Sequence, residues 1–259
     1  MWFGVTPAER ANRPAQICCG EPSPAFAIVS WPGLFRAFAT SSLSPSLGVA
    51  EPETSTIAAD DTLTIGTNAL VRLRNVADSA EVNQGMIHYF FRSKEALFQE
   101  AYLRCGTPMV EERLRLLDAQ EAAVKGGPIP LERLVEIFLT PAFTLAMSGV
   151  SGPAFLRMQA HLQLDGTRFG NDLRRLLYDE SSRRFLAAFA RSLPGVSREE
   201  VSWRFIFMLG TYQYALADTG RIESISDGLC SGRDFAGSLR QMMPFIVAAM
   251  RAPGLAART

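Results

Sequence analysis

Apolar residues recur at helical spacing along most of the chain after residue 57, and few segments alternate between apolar and polar residues as a surface strand does. Clusters of Gly, Pro, Asp and Ser separate the periodic runs. We expect an all-α fold, with a small N-terminal group of short helices and a larger C-terminal bundle. The bundle helices are predicted over 131–147, 153–164, 170–192, 197–219 and 232–251.

Three short helices are predicted upstream of the bundle, over 57–66, 73–80 and 83–91. A longer helix opens at Ser93. The sequence Gly106-Thr107-Pro108 is predicted to interrupt it, because glycine is a weak helix former and proline lacks the backbone N–H. The helical pattern resumes at Met109 and ends before the second clear break, "GGPIP" at 126–130.

Several polar residues precede these helices and are candidate starts: Asn83, Ser93, Asp172, Ser197 and Ser231. Ser197 with Glu at position 200 fits a capping box, in which the two side chains bond to each other's backbone N–H groups.

Residues 1–55 contrast with the rest, because prolines and serines interrupt every run of apolar residues. We interpret 1–55 as a disordered or non-native extension. The periodic part divides into a predicted N-terminal unit at 56–104 and a predicted C-terminal unit at 105–252.

Composition restricts the function classes. The chain has 26 basic and 26 acidic residues, so it is not a polybasic coat for nucleic acid, although a local basic patch remains possible. Four cysteines without zinc spacing and two histidines give no support for a metal site or another cofactor. No apolar run is long enough to span a membrane, and we expect a cytoplasmic protein with no membrane partner.

The stretch "VADSAEVNQGMIHYFFRSKEALF" at 76–98 predicts a helix-turn-helix, because two short helices flank a tight turn. An ordinary helical hairpin is the alternative. In the helix-turn-helix interpretation, the start of the second helix enters the DNA major groove. Its small core would consist of Val76, Ala77, Ala80, Val82, Ile87 and Phe90.

The polar residues of this stretch suit DNA contacts. Asn and Gln side chains can bond to adenine edges, glycine permits close backbone approach, and basic side chains meet phosphates. N-capping and solvation are the alternative roles for Asn83 and Gln84. The predicted DNA-binding residues are Arg72, Asn83, Gln84, Gly85, His88, Tyr89, Arg92 and Lys94.

The same stretch resembles the DNA-binding signature of TetR/AcrR-type transcriptional regulators. The matching elements are Val76-Ala77, the turn Ala80-Glu81-Val82 with Glu81 in place of the usual Gly, the residues Gly85, Ile87 and Phe90, and the tail at 93–97, "SKEAL". A weaker likeness extends through "GPAFLRMQAHL" and "VSWRFIFMLGTYQYALADTGR", which look like the C-terminal domain of one branch of these regulators.

The resemblance implies a DNA-binding domain at 56–104 and a ligand-binding and dimerisation domain at 105–252. It implies a homodimeric regulator that binds double-stranded operator DNA and responds to a small-molecule effector. We expect a repressor that a small apolar ligand releases from its operator. The helix that should precede the motif departs from the family pattern, since Asp60-Asp61 and Thr64-Ile65 stand in it. The alternative is therefore a dimeric ligand-binding module, derived from such a regulator, in which a defective first helix impairs DNA binding.

Aromatic and methionine residues are frequent in the second half, and they suit either a bundle core or an apolar effector pocket with a few polar groups. The predicted pocket residues are Phe155, Met158, Gln159, His161, Trp203, Phe207 and Tyr212.

The last two predicted long helices carry apolar residues on several sides, which suggests a four-helix interface between two copies; packing within one chain is the alternative. The predicted interface residues are Phe205, Met208, Leu239, Met242 and Ile246.

An enzyme finds little support, because no catalytic residue pair or phosphate-binding loop is evident. The remaining candidates, Cys105 with His161 or Asp165, have no local signature.

Overall fold

The computed structural model describes residues 62–65, 69–72, 83–149, 151–164 and 166–254. The predictions for 1–55 and for the helix at 73–80, together with the core residues Val76, Ala77, Ala80 and Val82, lie outside the described residues.

The first described elements are two strands, β1 (Thr62–Ile65) and β2 (Ala69–Arg72). They pair antiparallel, with Thr62 opposite Arg72 and Ile65 opposite Ala69. The helix predicted over 57–66 is therefore wrong across 62–65. The physical reason is that the threonines and Ile65 are β-branched and stiff at χ1, which favours extended backbone over helix.

Two helices follow: α1 (Gln84–Phe91) and α2 (Lys94–Ala123). The capping predictions for both starts are confirmed. The Asn83 side chain accepts a hydrogen bond from the Gly85 N–H at 2.7 Å, and the Ser93 hydroxyl accepts one from the Ala96 N–H at 3.1 Å.

Helix α2 is continuous for 30 residues, so the predicted break at Gly106-Thr107-Pro108 is wrong. Packing overrides the local preference. A Cβ built on Gly106 would lie 2.4 Å from Leu177 and 3.0 Å from Phe155, so the glycine lets neighbouring helices approach closely. The helix also crosses the predicted domain boundary between residues 104 and 105.

The remaining helices form the bundle. The five predicted helices are confirmed, with ends that differ by up to three residues, and a short additional helix, α7, lies between the last two. Their bounds are α3 (Leu131–Ala146), α4 (Ser151–Leu164), α5 (Arg168–Ser192), α6 (Arg198–Leu216), α7 (Arg221–Ile225) and α8 (Phe235–Arg251).

Of the predicted starts in the bundle, Ser197 is confirmed as the cap of α6. Ser197 accepts from the Glu200 N–H at 3.2 Å and its hydroxyl bonds to the Glu200 carboxylate at 3.3 Å. Asp172 does not begin α5, because Thr167 caps that helix. Asp234, three residues after Ser231, caps α8 by accepting from the Gly237 N–H at 2.8 Å.

Helix α3 lies at the centre of the bundle. The Phe138 ring is 4.9 Å from Phe185, 5.4 Å from Phe205 and 5.9 Å from Tyr212, measured between centroids. These edge-on aromatic contacts join α3 to α5 and α6. The fold class is confirmed as all-α, apart from the β1–β2 hairpin. Within the described ranges, no helix has the length and apolarity needed to cross a bilayer.

Candidate DNA-binding surface and effector site

The start of α1 is shaped by its cap. The side-chain Oδ1 of Asn83 accepts a hydrogen bond from the Gly85 N–H, and a Cβ on Gly85 would lie 3.2 Å from that oxygen. Both residues are exposed. The cap uses the oxygen of the Asn83 side-chain amide, and the NH₂ group of that amide can donate to a second partner.

The solvent-facing side of α1 carries Tyr89, which is 81% exposed. Arg92, which is also exposed, follows the helix. Lys94 is half-buried at the start of α2. Of the predicted DNA-binding residues, the structure thus brings Asn83, Gly85 and Tyr89 to one short exposed helix. The side chains of Arg72, Gln84 and His88 lie outside the described ones.

The inner face of α1 holds Ile87, which is 2% exposed, and Phe91, which packs against the buried core. The prediction for Ile87 is confirmed. The prediction that Phe90 is core is wrong, because its ring is 37% exposed and lies edge-on against Tyr89 at 5.1 Å. Phe91, four residues after Ile87, shares the inward face of the helix.

A tight joint fixes α1 on α2. Arg92 has a φ of 59°, which ends α1, and the Ser93 N–H donates to the Phe91 carbonyl at 2.6 Å. Glu95 lies in the first turn of α2, where the helix dipole favours an acid. Leu97 and Phe98, one turn further, are 1% and 0% exposed and anchor the joint in the core.

In the bundle, the predicted pocket residues separate into two groups. Phe155, Met158, Gln159 and Tyr212 are buried. His161, Trp203 and Phe207 are exposed, so the structure does not bring them together with the buried group. On α6, Trp203 and Phe207 lie opposite the side formed by Phe205 and Tyr212, because a helix turns about 100° per residue.

A buried arginine, Arg113 on α2, was not among the predicted site residues; it is 1% exposed. Its Nε donates to the Phe138 carbonyl at 2.7 Å, and its guanidinium lies 4.2 Å from the Phe138 ring centroid. A signal was present: Arg113 falls between Met109 and Leu117 at four-residue spacing, so it occupies a position of the apolar face.

Other polar groups share this interior. The hydroxyls of Tyr102 and Tyr178 are 3.1 Å apart and hydrogen-bonded. Burial, the largest cause, raises the pKa of both phenols well above its ordinary value, so both are neutral hydrogen-bonding groups at pH 7. The Arg113 charge acts in the opposite direction on the pKa of Tyr178.

The predicted interface residues Phe205, Met208, Met242 and Ile246 are buried within the protomer, and Leu239 packs against the same core. Their burial leaves these side chains little surface to offer to a second copy; Phe205, for instance, contacts Phe138 and Phe189. The exposed apolar side chains of α6 and α8 are different ones: Trp203, Ile206, Phe207, Tyr214 and Phe245.

We define these five side chains as the outer face. Its two helices are neighbours, since Arg204 of α6 donates to the Met250 carbonyl of α8 at 2.7 Å. An open pocket of about 490 Å³ lies on α8, beside the ion pair of Arg251 with Glu132 at 2.5 Å. In the part of the chain that the structure describes, no group of three or more His, Cys, Asp or Glu side chains could hold a metal ion.

Comparison with known proteins agrees with the arrangement. A family model described as "Bacterial regulatory proteins, tetR family" matches residues 69–101, which include α1 and the start of α2. A second, "Tetracyclin repressor-like, C-terminal domain", matches residues 136–249 of the bundle. No curated protein matches the chain. The two matched ranges cover more than half of the sequence in the order that the domains have in these regulators, and the chain belongs to the TetR family of transcriptional regulators.

Proposed function

We propose that this TetR-type regulator is a homodimeric repressor in the cytoplasm, and that a small apolar effector releases it from its operator. In the proposal, α1 of each protomer enters the major groove of double-stranded DNA, and two protomers read two half-sites. The effector binds among the helices of the bundle, and α2 connects that site to α1.

One observation carries the proposal: α1 presents an exposed face immediately before a capped joint, inside the range matched to the DNA-binding family model. The Asn83 amide suits a base edge, and exposed Tyr89 suits a phosphate through its hydroxyl. Arg92 and Lys94 suit phosphates on the flank of the groove. Arg72, Gln84, Gly85 and His88 complete the proposed contact set.

Dimerisation is proposed through the outer face. Trp203, Ile206, Phe207 and Tyr214 are between 55% and 62% exposed and recur along one side of α6. Large apolar side chains at this density suit an interface better than contact with water. Gly210 lies among them and has no atom within 4 Å of a built Cβ, so another helix can approach closely there.

The alternative function is a dimeric ligand-binding module with impaired DNA binding. One observation favours it: β1 is a strand within the range that should form the first helix of the DNA-binding domain, and the family match begins only at residue 69. The first helix supports the other two in this domain, so its replacement by a hairpin would weaken the support of α1.

A salt titration of DNA binding separates the two functions. The full chain should bind a site in its flanking intergenic DNA with a preference over unrelated DNA, measured by fluorescence anisotropy. Arg92→Gln should weaken binding to all sequences and reduce the salt dependence by about one phosphate contact. Arg168→Gln, an exposed arginine at the start of α5, is the matched control.

If the dimer shows no sequence preference in the absence of ligand, the repressor proposal fails. A variant in which residues 57–66 are replaced by a helix of the family pattern then decides for the alternative: it should bind DNA where the natural chain does not.

The oligomeric state is tested separately by sedimentation. Phe207→Glu should convert dimers to monomers, because a charge buried in an apolar interface is costly. Leu176→Glu is the matched control, since Leu176 is 61% exposed on α5, outside the outer face. A natural chain that sediments as a monomer at micromolar concentration would exclude the dimer.

A further inference from the structure

The interior of the bundle contains a positive charge without a counter-ion. Arg113 is 1% exposed, and no ion pair within the described residues includes it. Its Nη2 is buried and has no hydrogen-bond partner. An arginine side chain carries a permanent positive charge in proteins.

The compensation that Arg113 receives is incomplete. The guanidinium donates to the Phe138 carbonyl and lies over the rings of Phe138 and Tyr212, at 4.2 and 5.5 Å. These contacts explain why the charge is tolerated, since a cation is attracted to an aromatic face. They leave at least one N–H of the guanidinium unsatisfied, and an unpaired buried charge strongly destabilises a fold.

A second buried polar side chain in the same bundle lacks partners. Gln159 of α4 is 1% exposed, and neither its Oε1 nor its Nε2 has a hydrogen-bond partner. One turn earlier on the same helix face, Phe155 packs against Tyr102 at 5.2 Å between ring centroids. The Tyr102–Tyr178 hydroxyl pair adds neutral donors to this interior.

We propose that the effector is an apolar molecule with a single carboxylate, and that Arg113 binds that carboxylate inside the bundle. The inference rests on the proposed effector response and specifies its ligand. The rings of Phe138 and Tyr212, which lie beside the guanidinium, hold the apolar body. Phe155 and Gln159 of α4 extend the site, and Gln159 offers a donor and an acceptor to a further polar group. Arginine suits a carboxylate because its N–H groups match the two oxygens.

The charge argument separates a carboxylate from a phosphate. One guanidinium balances one negative charge, and a phosphate monoester carries about −1.5 to −2 at pH 7. Arg113 is the only buried cation among the described residues, so an alkyl phosphate would bring an uncompensated charge into the bundle.

The test is binding by the full chain, without DNA, measured by calorimetry at pH 7. The probes are decanoate and 4-phenylbutyrate, each paired with its primary amide, and decyl phosphate. We expect each carboxylate to bind at least about 100-fold more tightly than its amide, and more tightly than decyl phosphate. Equal binding of acid and amide, tighter binding of the phosphate, or no binding of either carboxylate at millimolar concentration would overturn the proposal.

Two variants locate the site. Arg113→Met should abolish the preference for acid over amide while keeping the apolar contacts. Arg115→Met, two residues along α2 and paired at the surface with Glu112, should keep the preference. Because the preference in the natural chain is itself diagnostic, the test stands even if Arg113→Met unfolds. A preference that survives in folded Arg113→Met protein would place the carboxylate elsewhere and contradict the assignment.

The same titration repeated with operator DNA distinguishes the carboxylate assignment from the effector-release proposal. If carboxylates bind through Arg113 but leave the DNA affinity unchanged, the ligand assignment stands and the effector-release proposal fails. If DNA is released only by neutral apolar molecules, the repressor proposal stands and the carboxylate assignment fails.

Discussion

The two ends of α2 lie in contrasting surroundings. At its start it holds α1, an eight-residue helix whose inward contacts are Ile87 and Phe91. Further along, it packs into a bundle in which α3 alone buries ten of its 16 residues. Regions with few buried apolar contacts open locally at low free energy, so the DNA-binding end should be the more easily remodelled.

The largest expected effect lies at the bundle centre. Phe138→Ala should lower the free energy of unfolding by about 3–5 kcal/mol, because the ring contacts three aromatic neighbours and a cavity would remain. Urea unfolding followed by circular dichroism measures it. A loss below about 1 kcal/mol would contradict the tight packing of the bundle and its contrast with α1.

Gly106→Ala probes the contact of α2 with the bundle. Alanine is the better helix former, but its Cβ would lie 2.4 Å from Leu177. We expect a net destabilisation of about 1–3 kcal/mol from overpacking. Gly195→Ala is the control, since nothing lies within 4 Å of its Cβ and its change should be close to neutral. A stabilised Gly106→Ala protein would contradict the close packing.

A matched pair of cap substitutions compares the two regions directly. Ser197→Ala removes the α6 cap and should lower global stability by about 1 kcal/mol. Asn83→Ala removes the α1 cap at similar local cost, but it should leave the urea midpoint of the bundle unchanged and increase hydrogen exchange only in α1. Equal shifts of the urea midpoint would show that α1 and the bundle unfold as one unit.

The smallest effect is expected in the segment between α6 and α8. The Gly232 N–H donates a hydrogen bond to the Glu223 carboxylate, and this bond is the largest cause that lowers the pKa of Glu223. The Ser231 hydroxyl and the Arg233 charge lower the same pKa further. A lowered folded-state pKa means that the stabilisation is present above the unfolded-state pKa and is lost as the pH falls through the folded one. Amide exchange at Gly232, corrected for its intrinsic pH dependence, should lose protection on acidification, and Glu223→Gln should remove that change.

Local signals in the sequence identify the elements whose stability is local. The caps Asn83, Ser93 and Ser197 were predictable because the side chain and its N–H partner lie within three residues. The continuity of α2 was not, because it depends on Leu177, 71 positions after Gly106 in the chain. The hairpin was missed because each strand has only four residues, and the alternation of polar and apolar residues in β1 is too short to be distinguished from a helical pattern.

The candidate site shows the same division. The residues of α1 were predictable from the family signature, whereas the side of α6 that faces the core was not. Its apolar residues occur on both sides, so periodicity alone assigned Phe205 to an interface and Trp203 to a pocket, the reverse of the observed burial. Arg113 was missed because a single arginine on an apolar face resembles an ordinary surface residue until its neighbours are known.

The length of α2 has a mechanical consequence. Leu97 and Arg113 are 16 residues apart, about 24 Å along one helix at 1.5 Å per residue. A rotation of about 5° about the Arg113 end would therefore displace the α1 end by about 2 Å. Pro108, which has no N–H to donate to the carbonyl one turn back, lies between the two residues, and α2 should bend most easily there.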